Sequence, residues 1–331
     1  MFQFHVEKTS ETTLFDTVKH WDLLIAGGGP AGLNAALYAK RKGLNVGVIT
    51  AEIGGQLHNT STVDNYLGFQ WIEGKDLSHK FLDHINSLEI PIFKGSHIQS
   101  IKRIQQDFQL ILSDGKILLT KTVLVATGGA PRMLHIPGEH KLANKGVSYC
   151  TTCDAPFFKD KHVIVAGGGN SAAEAVLDLV PWASKITVVH RSQWRADQIL
   201  LDKHQSIDKL TVHLNTQILS VLGDEKMTGV HVLDKTTNQT YDIPADGLFI
   251  EIGTVPKSQW IKHLVSVNDQ DEIIVDSNQM TNVPGIFAAG DVTNQPFKQI
   301  IISAAEGAKA ALAITQYLNH TYKATGKYVK Q

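Results

Sequence analysis

The sequence predicts an α/β fold containing two dinucleotide-binding βαβ units, and three observations carry that expectation. A glycine-rich loop, Gly27-Gly28-Gly29-Pro30-Ala31-Gly32, stands between a short apolar run and an alanine-rich segment. A second such loop, Gly167-Gly168-Gly169-Asn170-Ser171-Ala172, begins 140 residues later in the same setting. Between them lie the only two cysteines among the 331 residues, as Tyr149-Cys150-Thr151-Thr152-Cys153-Asp154.

In chain order, Trp21 to Ala26 reads as a strand entering the first loop, Leu33 to Lys42 as a helix closed by Gly43, and Asn45 to Thr50 as the next strand. That setting makes the glycines meaningful: they permit a tight turn and let backbone approach a pyrophosphate at the positive end of the helix. Pro91 to Asp114 alternates apolar and polar residues and reads as antiparallel hairpins inserted into the sheet. Leu124 to Gly129 is a buried strand ending in glycines, and Pro131, Pro137 and Gly138 mark a linker. The unit then recurs: Lys161 to Ala166 as strand, Ala173 to Leu179 as helix, Lys185 to His190 as strand. A second linker is expected at Gly253 to Pro256, after the strand Gly247 to Ile252. Gly285 to Asp291 forms a strand ending in Gly-Asp, followed by a helix from Gln299 to Leu318.

Composition narrows the function classes. A chain of this length is expected to hold two domains. A net charge of −1 gives no global electrostatic case for nucleic acid or an anionic membrane. No apolar stretch approaches the roughly 20 residues of a membrane span. Met1 to Trp21 mixes His5, Glu7, Lys8 and Glu11 with isolated apolar residues and lacks a signal-peptide core, so the chain reads as cytosolic. Two cysteines are too few for a secreted disulfide scaffold, and no second pair at zinc-finger spacing is present, so no metal is expected. Cysteines at i and i+3 lie within disulfide reach over one helical turn, and a redox-active pair is the reading that fits. A hydride from a nicotinamide carries two electrons and a disulfide takes up two, so a flavin joins the two nucleotide sites naturally. Asp154, next to the pair, is placed either to shuttle the thiol proton or to cap a helix.

With Gly54-Gly55-Gln56, Ala126-Thr127-Gly128, the Cys-Thr-Thr-Cys-Asp motif and Ala289-Gly290-Asp291 added, the chain resembles the low-molecular-weight thioredoxin reductase family from about Trp21 to Tyr322. Ala196 to Leu200 and Lys298 to Ile302 are also similar to the reductase portion of the bacterial flavoprotein subunit of alkyl hydroperoxide reductase. The resemblance implies two Rossmann-like domains of three-layer ββα type, the second inserted into the first. An FAD domain would comprise 1–136 and 257–331, and an NAD(P)H domain carrying the cysteines 137–256. Gly27, Gly29, Pro30, Ala31 and Gly32 would approach the FAD pyrophosphate, with Gly55 and Gln56 near the ribityl chain and Asn65 near the isoalloxazine. Asp291, after Gly290, would reach a ribityl hydroxyl or the pyrophosphate. Ala126, Thr127, Gly128, Gln299 and Ile300 complete the flavin set; with Thr50 at the usual carboxylate position, Glu52 is either a displaced ribose partner or an ordinary exposed carboxylate. Gly167, Gly169, Asn170, Ser171, Ala172, His190, Arg191, Arg195, Ile252 and Gly253 form the expected NADPH set.

By the same resemblance Cys153 faces the flavin and Cys150 attacks the substrate, cysteines and nicotinamide taking turns at one flavin as the inserted domain rotates. The partner is expected to be thioredoxin or a related redoxin and the assembly a homodimer. Only about 20 residues precede the first strand and none is cysteine, so the electron carrier is expected to be a separate protein. The chain departs from the pattern at Ala155, where the family usually has glycine, an extra methyl that would restrict φ. It departs again at Ser192, where relatives using NADPH commonly carry a second arginine, and Arg195 stands one residue closer than those relatives' third. Two further readings stay open: a reductase for a separate carrier in a peroxiredoxin system, and a flavin-binding sensor without turnover.

Overall fold

A computed structural model describes residues 20–60 and 62–323, which form two compact units. Pro131–Thr254 makes one, and the residues on either side of it make the other. The readings made for residues 1–19 and 324–331 lie outside the described residues.

The outer unit is built on a seven-stranded sheet. Its central strand Trp21–Gly28 pairs in parallel with Val46–Ile53 on one side and Ile117–Val125 on the other. Ile92–Lys94 extends the parallel part, with Val48 opposite Ile92. Strands Ile98–Ile104 and Asp107–Leu112 form an antiparallel meander with Ile117–Val125. The expectation of hairpins from Pro91 onward is therefore corrected at its start. Ile92 and Phe93 are buried and belong to the parallel sheet, and the hairpin begins only after Gly95 turns the chain with φ 81°.

Ile117–Val125 shows how pattern sets pairing. Its first half alternates exposed and buried residues and joins the half-solvated meander, while Val123–Val125 is buried throughout and pairs with Ile286–Ala288. Continuous apolar runs belong to sheets covered on both faces. Helices Pro30–Arg41, Gly74–Ser87 and Ile300–Lys323 cover one face over Leu23, Ile25, Val48 and Leu124. Trp21, Leu24, Phe108 and Ile261 fill the other. The first and last helices lie backbone to backbone: a Cβ on Gly307 would sit 2.0 Å from the Ala31 carbonyl oxygen.

The inner unit repeats the plan. Its five strands are all parallel, in the order Val147–Ser148, Gly247–Ile250, His162–Ala166, Lys185–Val189, Leu210–His213. Helix Asn170–Leu179 packs Val176 and Leu179 against Val163, Val165 and Phe249. The antiparallel sheet Thr216–Gly223, Met227–Asp234, Gln239–Pro244 covers the opposite face, packing Ile218, Val221 and Val230 over Ile164 and Leu248. This is a helix–sheet–sheet sandwich, so each unit is a Rossmann-like α/β domain.

The unit boundaries differ from the expected 136/137 and 256/257. They fall at 130/131 and 254/255 because the two crossing segments, Gly129–Pro131 and Thr254–Pro256, pair as a short ladder. Leu134, Ile136 and Ile252 pack on the inner core, so the residues after Pro131 belong to that side. Among the described residues no helix is long and apolar enough to cross a membrane.

Candidate active site

The first glycine loop separates two jobs that glycine can do. A Cβ at Gly27 would lie 2.2 Å from the Ala126 oxygen, and one at Gly32 2.0 Å from the Gly27 oxygen, so these two let backbones touch. Gly29 is different: its φ of −84° suits any residue, and a Cβ there would meet nothing within 4 Å. It is the N-cap of Pro30–Arg41, and no side chain caps that helix. The loop thus leaves space in front of a helix start, with Pro30 occupying the position whose N–H would be least missed, which fits a pyrophosphate.

Distant candidates converge there. Gly55, at φ 56°, would bring a Cβ within 3.6 Å of the Gly29 Cα, and Gly290, at φ 79°, packs on the buried Ala31. The Gly290 N–H donates to Glu306 Oε2 at 2.7 Å, and Ser303 Oγ donates to Asp291 Oδ1 at 3.0 Å. Burial pushes both the Asp291 and Glu306 carboxyls above the usual carboxylate range, against those hydrogen bonds. Asn65 Nδ2 donates to Gln299 Oε1 at 3.2 Å, joining residues 234 apart, and Ile300 packs over Leu57 and Val63. Gln56 Nε2 donates to the Gly129 carbonyl, and Thr127 Oγ1 to the Lys257 carbonyl at 2.7 Å. Gly128, at φ 68°, faces open space. Glu52 stays apart, its side chain 74% exposed beside His58. Thr50 Oγ1 instead accepts the Gly28 N–H at 3.1 Å and donates to the Glu52 carbonyl at 2.6 Å, tying strand to loop without a charge.

The second loop repeats the division. A Cβ on Gly167 would strike the Glu251 oxygen at 2.3 Å and the buried Ala172, and one on Gly168 the His190 ring at 2.2 Å. Gly169, N-cap of Asn170–Leu179, has nothing within 4 Å. The cradle that a Cβ would fill is therefore present twice. Asn170 and Asp197 bond reciprocally, Nδ2 to Oδ2 and the Asp197 N–H to Oδ1, both at 2.8 Å. Ser171 is exposed. His190 is buried under the loop with Ser192 Oγ 3.1 Å from its Nε2, and burial together with Arg195 and Arg191 depresses its pKa. Arg191 and Arg195 are exposed, and the Arg195 N–H donates to the Gly168 carbonyl at 2.7 Å. Ile252 is half-buried, and a Cβ on Gly253, at φ 94°, would lie 3.8 Å from the Arg132 side chain.

Cys150 and Cys153 form a disulfide with Cα atoms 5.3 Å apart. Cys150 is the N-cap of the four-residue helix Thr151–Asp154, and its carbonyl accepts from the Cys153 N–H at 3.2 Å and the Asp154 N–H at 3.1 Å. Asp154 caps nothing with its side chain; Ser148 Oγ donates to its Oδ2 at 2.6 Å. Ser148 Oγ also accepts the Cys150 N–H at 3.1 Å. Burial raises the Asp154 carboxyl, with the Ser148 bond opposing. The Ala155 methyl causes no strain: φ is −51°, and the side chain is buried in the inner core.

Four functional neighbours were not foreseen. Glu251 accepts both the Thr151 N–H at 3.2 Å and the Thr151 Oγ1–H at 2.6 Å. Glu139 accepts from Tyr149 Oη at 3.0 Å and from the Leu134 N–H at 2.9 Å, bracing the approach to the cysteines. Ser148 and Glu306 complete the group. Glu251 had a signal, as a lone carboxylate in the apolar run Gly247 to Ile252. Among the described residues no group of three or more His, Cys, Asp and Glu is placed to hold a metal ion.

An open glycine cradle in each unit, with a Cys-x-x-Cys disulfide in the unit that holds the second, defines a nucleotide-linked disulfide oxidoreductase. The family described as pyridine nucleotide-disulphide oxidoreductase matches residues 21–311, and the chain belongs to it, in the low-molecular-weight thioredoxin reductase group that also resembles the alkyl hydroperoxide reductase flavoprotein. It is 39% identical over 311 residues to the F subunit of alkyl hydroperoxide reductase in Staphylococcus aureus, covering 94% of this chain and 61% of that one. The chain thus spans about three fifths of the length of the curated relatives it matches. Thioredoxin reductase from Streptococcus pyogenes superposes with a TM-score of 0.86 at 35% identity, over 91% of this chain and 99% of that one. The enzyme from Giardia duodenalis gives 0.85 at 28% identity, over 91% and 99%. Membership implies a flavin and a pyridine nucleotide, and Cys150–Cys153 is the redox disulfide.

Proposed function

We propose that the chain is an NADPH-dependent FAD enzyme that reduces a disulfide of thioredoxin or a thioredoxin-like protein. The observation that carries this is the closed Cys150–Cys153 disulfide in the unit that holds the second open cradle at Gly169. Bound flavin would supply the exchange between two-electron hydride and the electron pair a disulfide accepts.

In the outer unit Gly27, Gly29 and Gly32 shape the pyrophosphate cradle, Gly55 and Gln56 flank the ribityl chain, and Asp291 orients its hydroxyls or the pyrophosphate. Asn65 and Gln299 hold one another in place for the ring system. The structure gives Glu52 no inward hydrogen bond, so the ribose assignment rests on its position alone. In the inner unit Arg191 and Arg195 offer guanidinium groups to a 2′-phosphate. Once reduced, the Cys150 thiolate attacks the acceptor disulfide, and one acceptor sulfur leaves as a thiol. Cys153 then attacks the mixed disulfide at Cys150, restoring Cys150–Cys153 and releasing the second acceptor thiol. Asp154, held by Ser148, receives and returns the proton that makes the thiolate. A homodimer in the cytosol completes the reading.

Similarity to the alkyl hydroperoxide reductase flavoprotein favours one second reading, reduction of a separate carrier that serves a peroxiredoxin. Nicotinamide oxidation is to be followed with thioredoxin, a peroxiredoxin carrier, glutathione disulfide and hydrogen peroxide offered separately at matched concentrations. Turnover with thioredoxin supports the first reading and turnover with the carrier alone the second. Faster turnover with glutathione disulfide than with every redoxin overturns both.

A further inference from the structure

The Cys150–Thr151 peptide is held by a carboxylate from another strand. Glu251 follows Gly247–Ile250 and puts one oxygen, Oε1, 3.2 Å from the Thr151 nitrogen and 2.6 Å from its hydroxyl. Thr151 is 3% exposed, so water competes little for either bond. A neutral amide oxygen would accept both bonds equally well. A carboxylate is the costlier choice there, because Glu174 and Asp178 on helix Asn170–Leu179 also act on it as negative charges. Burial, the larger effect, raises the Glu251 carboxyl above its usual range, with the Thr151 bonds opposing. On the cysteine helix Asp154 accepts from Ser148, and Cys153 becomes titratable once the disulfide is reduced. The hydrogen bonds explain an acceptor at this position; they do not explain a charge.

We propose that Glu251 is a positioning residue that also sets the redox balance of the pair. It fixes the peptide after Cys150, and in its ionised form, which the two Thr151 hydrogen bonds favour, its charge opposes the neighbouring thiolate and favours the disulfide form. A thiolate stabilises the reduced state of a dithiol pair, so an anion held at the Cys150–Thr151 peptide makes the pair a stronger reductant toward its acceptor. The inference rests on Cys150–Cys153 being the redox centre, and it is independent of which protein accepts the electrons.

The test is a thiol–disulfide equilibrium of the full-length flavoprotein with mixtures of dithiothreitol and its cyclic disulfide at pH 7. Each dithiothreitol that cyclises passes two electrons and two protons to Cys150–Cys153, giving two cysteine thiols, which are counted after acid quenching. Glu251→Gln keeps an oxygen for Thr151 and removes the charge. It should favour the reduced pair about fivefold, equivalent to about 20 mV for a two-electron couple, and speed iodoacetamide alkylation of the reduced pair at pH 7. Glu251→Asp keeps the charge and should stay near the parent constant. Glu251→Ser provides a second neutral variant should the first fail to fold. An unchanged constant in the neutral variants, or an equal shift in Glu251→Asp, would overturn the charge assignment. The titration contains no nicotinamide or redoxin, so its failure leaves the acceptor reading standing.

Discussion

Arg191 and Arg195 are the residues on which cofactor choice is expected to turn. A guanidinium bonds a 2′-phosphate through charge-assisted hydrogen bonds worth about 1.5–3 kcal/mol, about tenfold or more in specificity. With Ser192 where relatives carry another arginine, the preference for NADPH over NADH should sit near about tenfold. The two specificity constants decide it, and a ratio near one points to the peroxide-linked relatives. Asp291 makes a different residue-scale prediction. Burial favours its protonated form, so its contribution to stability is complete below the ordinary carboxylate range and lost as pH rises through the raised folded value. Asp291→Asn should therefore raise the denaturant midpoint of the flavin-free protein at pH 7 while weakening flavin retention. A lower midpoint for the variant would contradict the sign.

At the scale of elements, the two loops predict that neighbouring glycines fail in different ways. Gly32→Ala places a methyl 2.0 Å from a backbone oxygen, with no flexible side chain to yield, and should cost about 1–3 kcal/mol or more. Gly29→Ala meets nothing in the protein and, compared flavin-free, should melt like the parent, yet it should fail to retain flavin because the methyl enters the cradle. Gly169→Ala should do the same for the nicotinamide nucleotide. Thermal melts and flavin absorbance after gel filtration separate the cases; equal melting losses in Gly29→Ala and Gly32→Ala would refute the division. Both loops and their strand–helix settings were legible in the sequence because periodicity and glycine spacing are local signals. The partners that complete the site were not. Glu251 reaches Thr151 across 100 residues, and Glu306 reaches back 16 residues from the last helix to Gly290. The linkers read at Pro131 and at Gly253 to Pro256 mark both crossings, whereas the exact division was not legible because strand pairing and the burial of Leu134 and Ile136 are tertiary facts.

The whole molecule is one Rossmann-like unit interrupted by another, and the interruption is short-circuited by pairing at its base. The Arg132 N–H donates to the Gly253 carbonyl at 2.9 Å, so the inner unit's ends are close and its core is its own. Residues 131–254 expressed alone should fold cooperatively, retain the disulfide and bind a nicotinamide nucleotide without flavin colour; a molten product would refute the autonomy of that unit. The central claim is that electrons from the nicotinamide reach Cys150–Cys153. It is tested most directly by adding NADPH to the oxidised flavoprotein without oxygen or acceptor and counting thiols. The account predicts two new thiols in the parent protein, matching its two cysteines, and none in the Cys150→Ser, Cys153→Ser double variant. NADPH consumed by the parent with no thiol appearing would contradict it.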